Sequence, residues 1–190
     1  MTETNRQVAL AARPNGFPKD SDFQILKGPV PEPGDGEVLV KNIYMSVDPY
    51  MRGRMNEFKG SYIQAFEIGA PMTGGAVGQV IRSNHSDYAE GDFVLNMNGW
   101  REYFVRPGDR QKDGMDLTKV DPSLAPLSTY LGVLGMPGLT AYAGLAEVGV
   151  PKAGETVYVS AASGAVGAIV GQIAKIKGCR VVGSAGSAEK

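Results

Sequence analysis

Short apolar runs separated by turn residues make up the first two thirds of the chain. Up to about residue 121, no helical period continues for more than about two turns. Clusters of proline, glycine and acidic residues end the runs, as at 31–36, 89–91 and 107–109. This pattern predicts a β-rich domain packed as a compact, irregular barrel. The predicted strands are residues 7–12, 23–27, 37–45, 76–83, 92–96 and 101–105.

The pattern changes after Asp121, where longer apolar segments begin. Residues 127–134 and 139–148 are predicted helices. Residues 135–138 are expected to interrupt them, because proline and glycine both disrupt a helix interior. A domain boundary is therefore expected in this part of the chain. We place it so that the two domains cover residues 1–125 and 126–190.

The second domain ends in the order strand, turn, helix, strand. The strand is predicted at 155–160, the turn at 161–167, the helix at 168–177 and the second strand at 180–184. A strand that ends in small residues and opens a helix directs unpaired N–H groups and the positive end of the helix dipole at an anion. The chain is therefore predicted to be α/β with a β-rich part, and its βαβ unit is predicted to bind a pyrophosphate.

The turn approaches the dinucleotide-binding fingerprint Gly-x-Gly-x-x-Gly. Ala162 stands at the first position, while Gly164 and Gly167 fill the second and third. Gly164 would let the backbone approach a pyrophosphate, and Gly167 would let the helix pack closely on the strand. Alternatively, these small residues serve only the packing of helix on strand. The order of strand, turn and helix favours the dinucleotide.

The residues after the second strand bear on the choice of coenzyme. An NAD-binding domain places an acidic residue about 20 residues beyond the turn, where it hydrogen-bonds the ribose. This chain has Ser-Ala-Gly-Ser at 184–187, followed by Lys190. Hydroxyls and a cation favour a 2′-phosphate, so NADP(H) is expected rather than NAD(H). The alternative for Lys190 is a frayed terminal lysine.

Composition excludes several classes of function. The net charge of the 190 residues is -1 and no lysine or arginine run occurs, so nucleic acid is not an expected partner. No apolar stretch reaches the roughly 18 residues of a membrane span, and the polar start does not resemble a secretory signal. Cys179 is the single cysteine, which excludes an internal disulfide and suits a reducing compartment. We expect a cytoplasmic protein.

Three segments carry a family resemblance: 45–55 (MSVDPYMRGRM), 134–142 (LGMPGLTAY) and 170–183 (VGQIAKIKGCRVVG). They resemble the zinc-independent medium-chain dehydrogenases/reductases, closest to the curcumin, prostaglandin and 2-alkenal reductases. The resemblance runs in order over nearly all 190 residues. It implies a GroES-like barrel over residues 1–125, as the substrate and catalytic domain. It also implies that residues 126–190 are the first part of an NADP-binding Rossmann domain.

The resemblance also implies roles for individual residues. Lys190 would pair with the 2′-phosphate, and Met136 and Thr140 would flank the nicotinamide. Tyr50 would line the substrate pocket as a catalytic hydrogen-bond donor; its alternative is a tyrosine packed in a surface turn. Five turn residues would contact the pyrophosphate: Ser163, Gly164, Ala165, Val166 and Gly167.

No metal site is expected. Zinc alcohol dehydrogenases need cysteine, histidine and glutamate ligands, but residues 47–49 and 69–75 lack the corresponding cysteine and Gly-His-Glu. Cys179 and His85 cannot complete a zinc set. A turn-capping role for Asp48 and a solvated position for Glu67 are favoured over acid–base roles. Three cations are interpreted as a solvated face: Arg52, Arg54 and Lys59.

The resemblance implies hydride transfer from NADPH to the β-carbon of an α,β-unsaturated aldehyde or ketone, without a metal. The family's active site also uses residues from a later part of the chain. We therefore expect either a fragment of a longer, homodimeric enzyme or a module that closes by self-association. A third hypothesis is a catalytically incompetent fragment that acts only as a GroES-like binding or interaction module.

Overall fold

The computed structural model describes residues 3–57, 64–187 and 189. The chain divides into two compact units, Met1–Leu127 and Ser128–Lys190. Each unit has buried apolar clusters of its own.

Unit 1 contains a two-stranded and a five-stranded antiparallel sheet. The five-stranded sheet has the order β6-β3-β4-β5-β7, and β1 pairs with β2. The predicted strands 37–45 and 76–83 are confirmed with their bounds, whereas β7 was not predicted. The strands are β1 Thr4–Leu10, β2 Phe23–Pro29, β3 Glu37–Met45, β4 Ala76–Ser83, β5 Phe93–Asn96, β6 Tyr103–Pro107 and β7 Thr118–Val120.

Hydrogen bonds join the two sheets into a barrel-like body. The Val8 N–H donates to the Trp100 carbonyl at 2.7 Å, and the Glu102 N–H donates to the Arg6 carbonyl at 3.0 Å. Alternate residues of the strands point inward, since side chains alternate between faces with a period of two. One buried apolar cluster is formed mainly by side chains of the five-stranded sheet: Val38, Val40, Val80, Val94, Phe104 and Leu117.

A short helix, α1 (Tyr50–Arg54), closes the second cluster of unit 1. Met51 and Met55 stand four residues apart on one side of it and are both buried. They pack with Leu10, Phe66 and Met72. Tyr50 and Trp100 cover the edge of this cluster and are partly buried. This packing determines where the first residue of α1 lies.

Unit 2 contains the βαβ unit predicted from the sequence. Strands β8 (Thr156–Val159) and β9 (Arg180–Gly183) pair in parallel, and α3 (Ala165–Ile176) connects them. Leu145, Ala174 and Cys179 form the buried centre, with Val157 and Val181 packed against it. The helix begins three residues earlier than predicted, directly after the glycine turn.

The predicted interruption at 135–138 is wrong. A 3₁₀ helix, Leu127–Leu131, replaces the first predicted helix. Helix α2 (Met136–Ala143) then begins inside the expected break, with Pro137 in its first turn. Proline is tolerated there because the first N–H groups of a helix have no intrahelical acceptor. A π-helix, Gly144–Gly149, continues α2.

The longest helix in the described part of the chain, α3, has 12 residues. Among residues 3–57, 64–187 and 189, no helix has the length and hydropathy needed to cross a membrane.

Candidate functional site

The glycine turn of unit 2 is an exposed loop between β8 and α3. Ala161 adopts a left-handed φ of 49°, which turns the chain sharply after the strand. Its carbonyl accepts the Gly164 N–H at 2.9 Å, so this N–H is used within the turn. Ser163, Gly164, Ala165 and Val166 are exposed. The turn therefore leaves room for a group to approach its backbone.

The first turn of α3 offers free donors. The Ala168 N–H bonds to the Gly164 carbonyl at 2.9 Å, and no side chain caps the helix. The N–H groups of Ala165, Val166 and Gly167 precede that bond and have no acceptor among the described residues. Three N–H groups at the positive end of a helix suit a phosphate oxygen.

Gly167 is required by the close approach of α3 to the turn. A Cβ added at Gly167 would overlap the carbonyl oxygen of Ala161. A Cβ added at Gly164 would lie 3.1 Å from the same oxygen. A side chain at Gly167 would displace Ala161, and no acidic residue occurs between Glu155 and Glu189. The residues present therefore fit a pyrophosphate-bearing coenzyme, with the N–H groups of the turn and helix as its partners.

The end of β9 lies beside this turn. The Ser184 N–H donates to the Val159 carbonyl at 3.0 Å, and its carbonyl accepts the Ala162 N–H at 2.9 Å. The Tyr158 hydroxyl donates to Ser184 Oγ at 2.8 Å. Lys190, expected to pair with a 2′-phosphate, lies outside the described residues.

Met136 and Thr140 stand one turn apart on α2. Both side chains are exposed. The Thr140 hydroxyl donates to the Met136 carbonyl at 2.7 Å, so it is oriented along its own helix. The structure brings these two residues to one side of α2. They do not line the apolar groove of about 480 Å³ that lies between α2 and α3.

Tyr50 is the first residue of α1 in unit 1 and is partly buried. Burial raises the pKa of its phenol, the negative charge of Asp48 raises it further, and the cation of Arg54 opposes both. The Ser46 hydroxyl donates to Asp48 Oδ1 at 2.8 Å, and the Asp48 backbone carbonyl accepts the Met51 N–H at 3.0 Å. Because its pKa lies above the usual value of about 10, the Tyr50 hydroxyl keeps its proton at neutral pH.

The interpretation of Arg52 and Arg54 as a solvated face is wrong. Both side chains are partly buried. Arg52 donates to the Gly16 carbonyl at 2.7 Å. Arg54 donates to the Gln64 carbonyl at 2.9 Å, and its guanidinium lies 4.1 Å from the centre of the Phe66 ring. Arginine can bury the aliphatic part of its side chain while its guanidinium donates hydrogen bonds to backbone carbonyls. Charge alone therefore does not predict exposure. Lys59 lies outside the described residues.

A metal site is not apparent in the part of the chain that the structure describes. Within it, no group of three or more histidine, cysteine, aspartate or glutamate residues is placed to hold an ion. His85 Nε2 lies 3.2 Å from Asp109 Oδ1, and its Nδ1 accepts the Asp87 N–H. Cys179 is buried, and its thiol donates to the Lys152 carbonyl at 3.4 Å. Both side chains are engaged in hydrogen bonds within the fold.

Comparison with known proteins identifies the family. Residues 6–113 match the family described as the N-terminal domain of oxidoreductase. The chain therefore belongs to the medium-chain oxidoreductases that carry this domain, as its three motifs predicted. It is similar to the NADPH-dependent curcumin reductase of Escherichia coli (strain K12), with 50% identity over 99% of this chain and 52% of that protein. It is also similar to the 2-alkenal reductase (NADP(+)-dependent) of Nicotiana tabacum, with 51% identity over 98% of this chain and 54% of that protein.

A solved structure extends the likeness to the fold. CurA from Vibrio vulnificus, solved in complex with NADPH, superposes with a TM-score of 0.86 and 46% identity. The alignment covers 97% of this chain and 52% of that one. The predicted fold class, a GroES-like barrel followed by the start of a Rossmann domain, is confirmed. The chain spans about half the length of the curated relatives it matches.

Proposed function

We propose that this chain belongs to an NADPH-dependent reductase of the C=C bond in α,β-unsaturated aldehydes and ketones. The observation that carries the proposal is the glycine turn. It is followed by three N–H groups of α3 that have no acceptor among the residues the structure describes, in a chain about half identical to NADP-dependent reductases. The names of those relatives, curcumin reductase and 2-alkenal reductase, supply the substrate class.

Each domain has a proposed part in this activity. Residues 126–190 hold the coenzyme: Ser163 to Gly167 bind its pyrophosphate, Met136 and Thr140 flank its nicotinamide, and Lys190 pairs with its 2′-phosphate. When bound, NADPH supplies the hydride. Residues 1–125 supply Tyr50, whose protonated hydroxyl donates to the substrate carbonyl and stabilises the negative charge that develops on its oxygen. Such a donor must be held in a fixed position to be effective, and the packing of α1 holds Tyr50 in place.

We also propose that the activity needs no metal and that the enzyme is a cytoplasmic homodimer. The segments 47–49 and 69–75 lack the ligands of zinc alcohol dehydrogenases, which supports the first point. The single cysteine suits a reducing compartment. Exposed apolar side chains on unit 2, such as Leu139 and Ile176, support association with a second copy.

Titration with NADPH tests the proposal. Binding is followed by coenzyme fluorescence, and turnover by the loss of NADPH absorbance when an enal is added. Saturable binding with turnover supports the reductase. Binding without turnover would place the coenzyme site in this chain and the rest of the catalytic groups elsewhere. Absence of binding at millimolar NADPH would favour the third hypothesis, a GroES-like binding module.

A further inference from the structure

A tyrosine and a serine interact across the open face of the βαβ unit. The Tyr158 hydroxyl, on β8, donates to Oγ of Ser184, the residue that follows β9, at 2.8 Å. Tyr158 and Val182 are partners in the parallel register, so the tyrosine reaches two residues along the neighbouring strand. The Tyr158 side chain is 65% exposed.

Ser184 is held firmly against the glycine turn. Its N–H and carbonyl bond to Val159 and Ala162, on the two sides of the loop. A Cβ added at the preceding residue, Gly183, would lie 2.6 Å from the Cβ of Ala162. These contacts hold the backbone of Ser184 against the turn.

The hydrogen bond from Tyr158 determines what that hydroxyl can do. A serine hydroxyl has one hydrogen to donate and two lone pairs to accept. Because Ser184 Oγ accepts from Tyr158, its own hydrogen is free to donate to another group. A donor that itself accepts a hydrogen bond is polarised and becomes a stronger donor.

The position of Ser184 indicates the group that receives this hydrogen. In a dinucleotide-binding unit, the residue at the end of the second strand faces the 2′ position of the adenosine ribose. An acidic residue there accepts from a 2′-hydroxyl, whereas Ser184 offers a donor. No aspartate or glutamate occurs between residues 156 and 188.

We propose that Tyr158 is a positioning residue for coenzyme selectivity: it orients the Ser184 hydroxyl so that its hydrogen points at the 2′-phosphate of NADP(H). The proposal rests on the proposed function, which places NADPH at this turn. It adds a residue on β8, outside the glycine turn and outside the segment after β9, to those that select the phosphorylated coenzyme.

Calorimetric titration of the full chain tests this with two probes that differ only in the 2′-phosphate, adenosine 2′,5′-bisphosphate and adenosine 5′-monophosphate. Tyr158→Phe is expected to weaken binding of the bisphosphate by about threefold to tenfold and to leave the affinity for the monophosphate unchanged. Ser184→Ala is expected to give a similar loss, and adding Tyr158→Phe to it no further loss. Tyr142→Phe removes another exposed tyrosine hydroxyl of unit 2 and is the matched control.

The outcomes separate the two proposals. If the unaltered chain binds neither probe, the coenzyme site is refuted and this inference falls with it. If it prefers the bisphosphate and Tyr158→Phe keeps that preference, the inference alone is overturned. Additive losses in the double variant would also overturn it, since Tyr158 would then act independently of Ser184. Circular dichroism checks that each variant is folded.

Discussion

Tyr50 has two properties that a catalytic hydrogen-bond donor needs. It is held by packing at the start of α1, and its surroundings keep its proton in place. Two opposing charges adjust its acidity: Asp48 makes the phenolate less favourable and Arg54 makes it more favourable. Arg54 is itself held by Gln64 and Phe66, so its cation stays one helical turn from Tyr50.

Replacing Arg54 with glutamine is expected to raise the pKa of Tyr50 further, because the cation that favours the phenolate is lost while burial and Asp48 remain. The measurement is phenolate absorbance against pH, as the difference between each protein and its Tyr50→Phe derivative. Arg52→Gln is the control: it lies on the same helix but bonds to the Gly16 carbonyl. Equal shifts in both variants would contradict a specific effect of Arg54.

The raised pKa also has a consequence for stability. The folded protein retains the Tyr50 proton to a higher pH than the unfolded chain does, so the folded state binds more protons in that interval. Its contribution to stability is complete below the unfolded pKa of about 10 and is lost as pH rises through the folded value. Tyr50→Phe is therefore expected to flatten the alkaline loss of stability in urea unfolding. An unchanged alkaline slope would contradict this prediction.

At the scale of elements, a buried asparagine joins β1 to β6. Asn5 is 4% exposed, and its side chain forms two bonds with the backbone of Tyr103, at 2.9 and 3.0 Å. The amide acts as one more rung of a β-ladder where strand pairing is incomplete. The two sheets of unit 1 therefore depend on a side chain as well as on backbone bonds.

Replacing Asn5 with leucine is expected to destabilise unit 1 by about 2–4 kcal/mol, because two buried backbone groups of Tyr103 lose their partners. Urea unfolding measures the change. Gln24→Leu, at an exposed position of β2, makes the same kind of polar-to-apolar change without leaving a buried group unpaired. A loss as large in that control would show that the effect of Asn5 is not specific.

Two glycines of α3 differ in how closely they approach neighbouring residues: Gly167 lies against the glycine turn, whereas Gly171 does not. Gly167→Ala is expected to reduce the affinity for NADPH by about tenfold or more. The added Cβ would displace the glycine turn, and with it the N–H groups proposed to bind the phosphates. Gly171→Ala adds the same methyl at an ordinary 3.6 Å contact with Val181 and should leave the affinity unchanged. Fluorescence titration compares them. Equal affinities would refute the phosphate site.

At the scale of the whole molecule, unit 2 exposes apolar surface that a helix pair normally buries. Leu139 and Ile176 are 68% and 84% exposed, and both line the groove between α2 and α3. A surface of this kind is typical of a site that meets another protein surface.

The chain is therefore expected to associate as its concentration rises, and Leu139→Glu with Ile176→Glu is expected to weaken that association. Size-exclusion chromatography with light scattering over a range of concentrations measures it. Phe17→Glu removes an apolar residue of unit 1 that is even more exposed, at 91%, and serves as the control. A monomer at every concentration would contradict the prediction.

Much of the fold could be predicted from local pattern. Strands 37–45 and 76–83 are short apolar runs bounded by turn residues, and the βαβ unit is predicted by the order of strand, glycine turn and helix. The helix α1 could not be predicted, because its five residues are too few to show a period and packing of Met51 and Met55 stabilises it. The start of α2 at Met136 could not be predicted, because proline interrupts a helix interior but is tolerated in the first turn, and composition does not distinguish the two positions.

The sequence by itself determined the family, the order of strand, turn, helix and strand in the βαβ unit, and the small residues of the glycine turn, since these depend on neighbours along the chain. Only the tertiary structure decided which polar groups pair across distant segments. Arg54 bonds to Gln64, Asn5 to Tyr103 and Tyr158 to Ser184. The physical reason is that a hydrogen bond requires atoms about 3 Å apart, and folding alone brings such residues together.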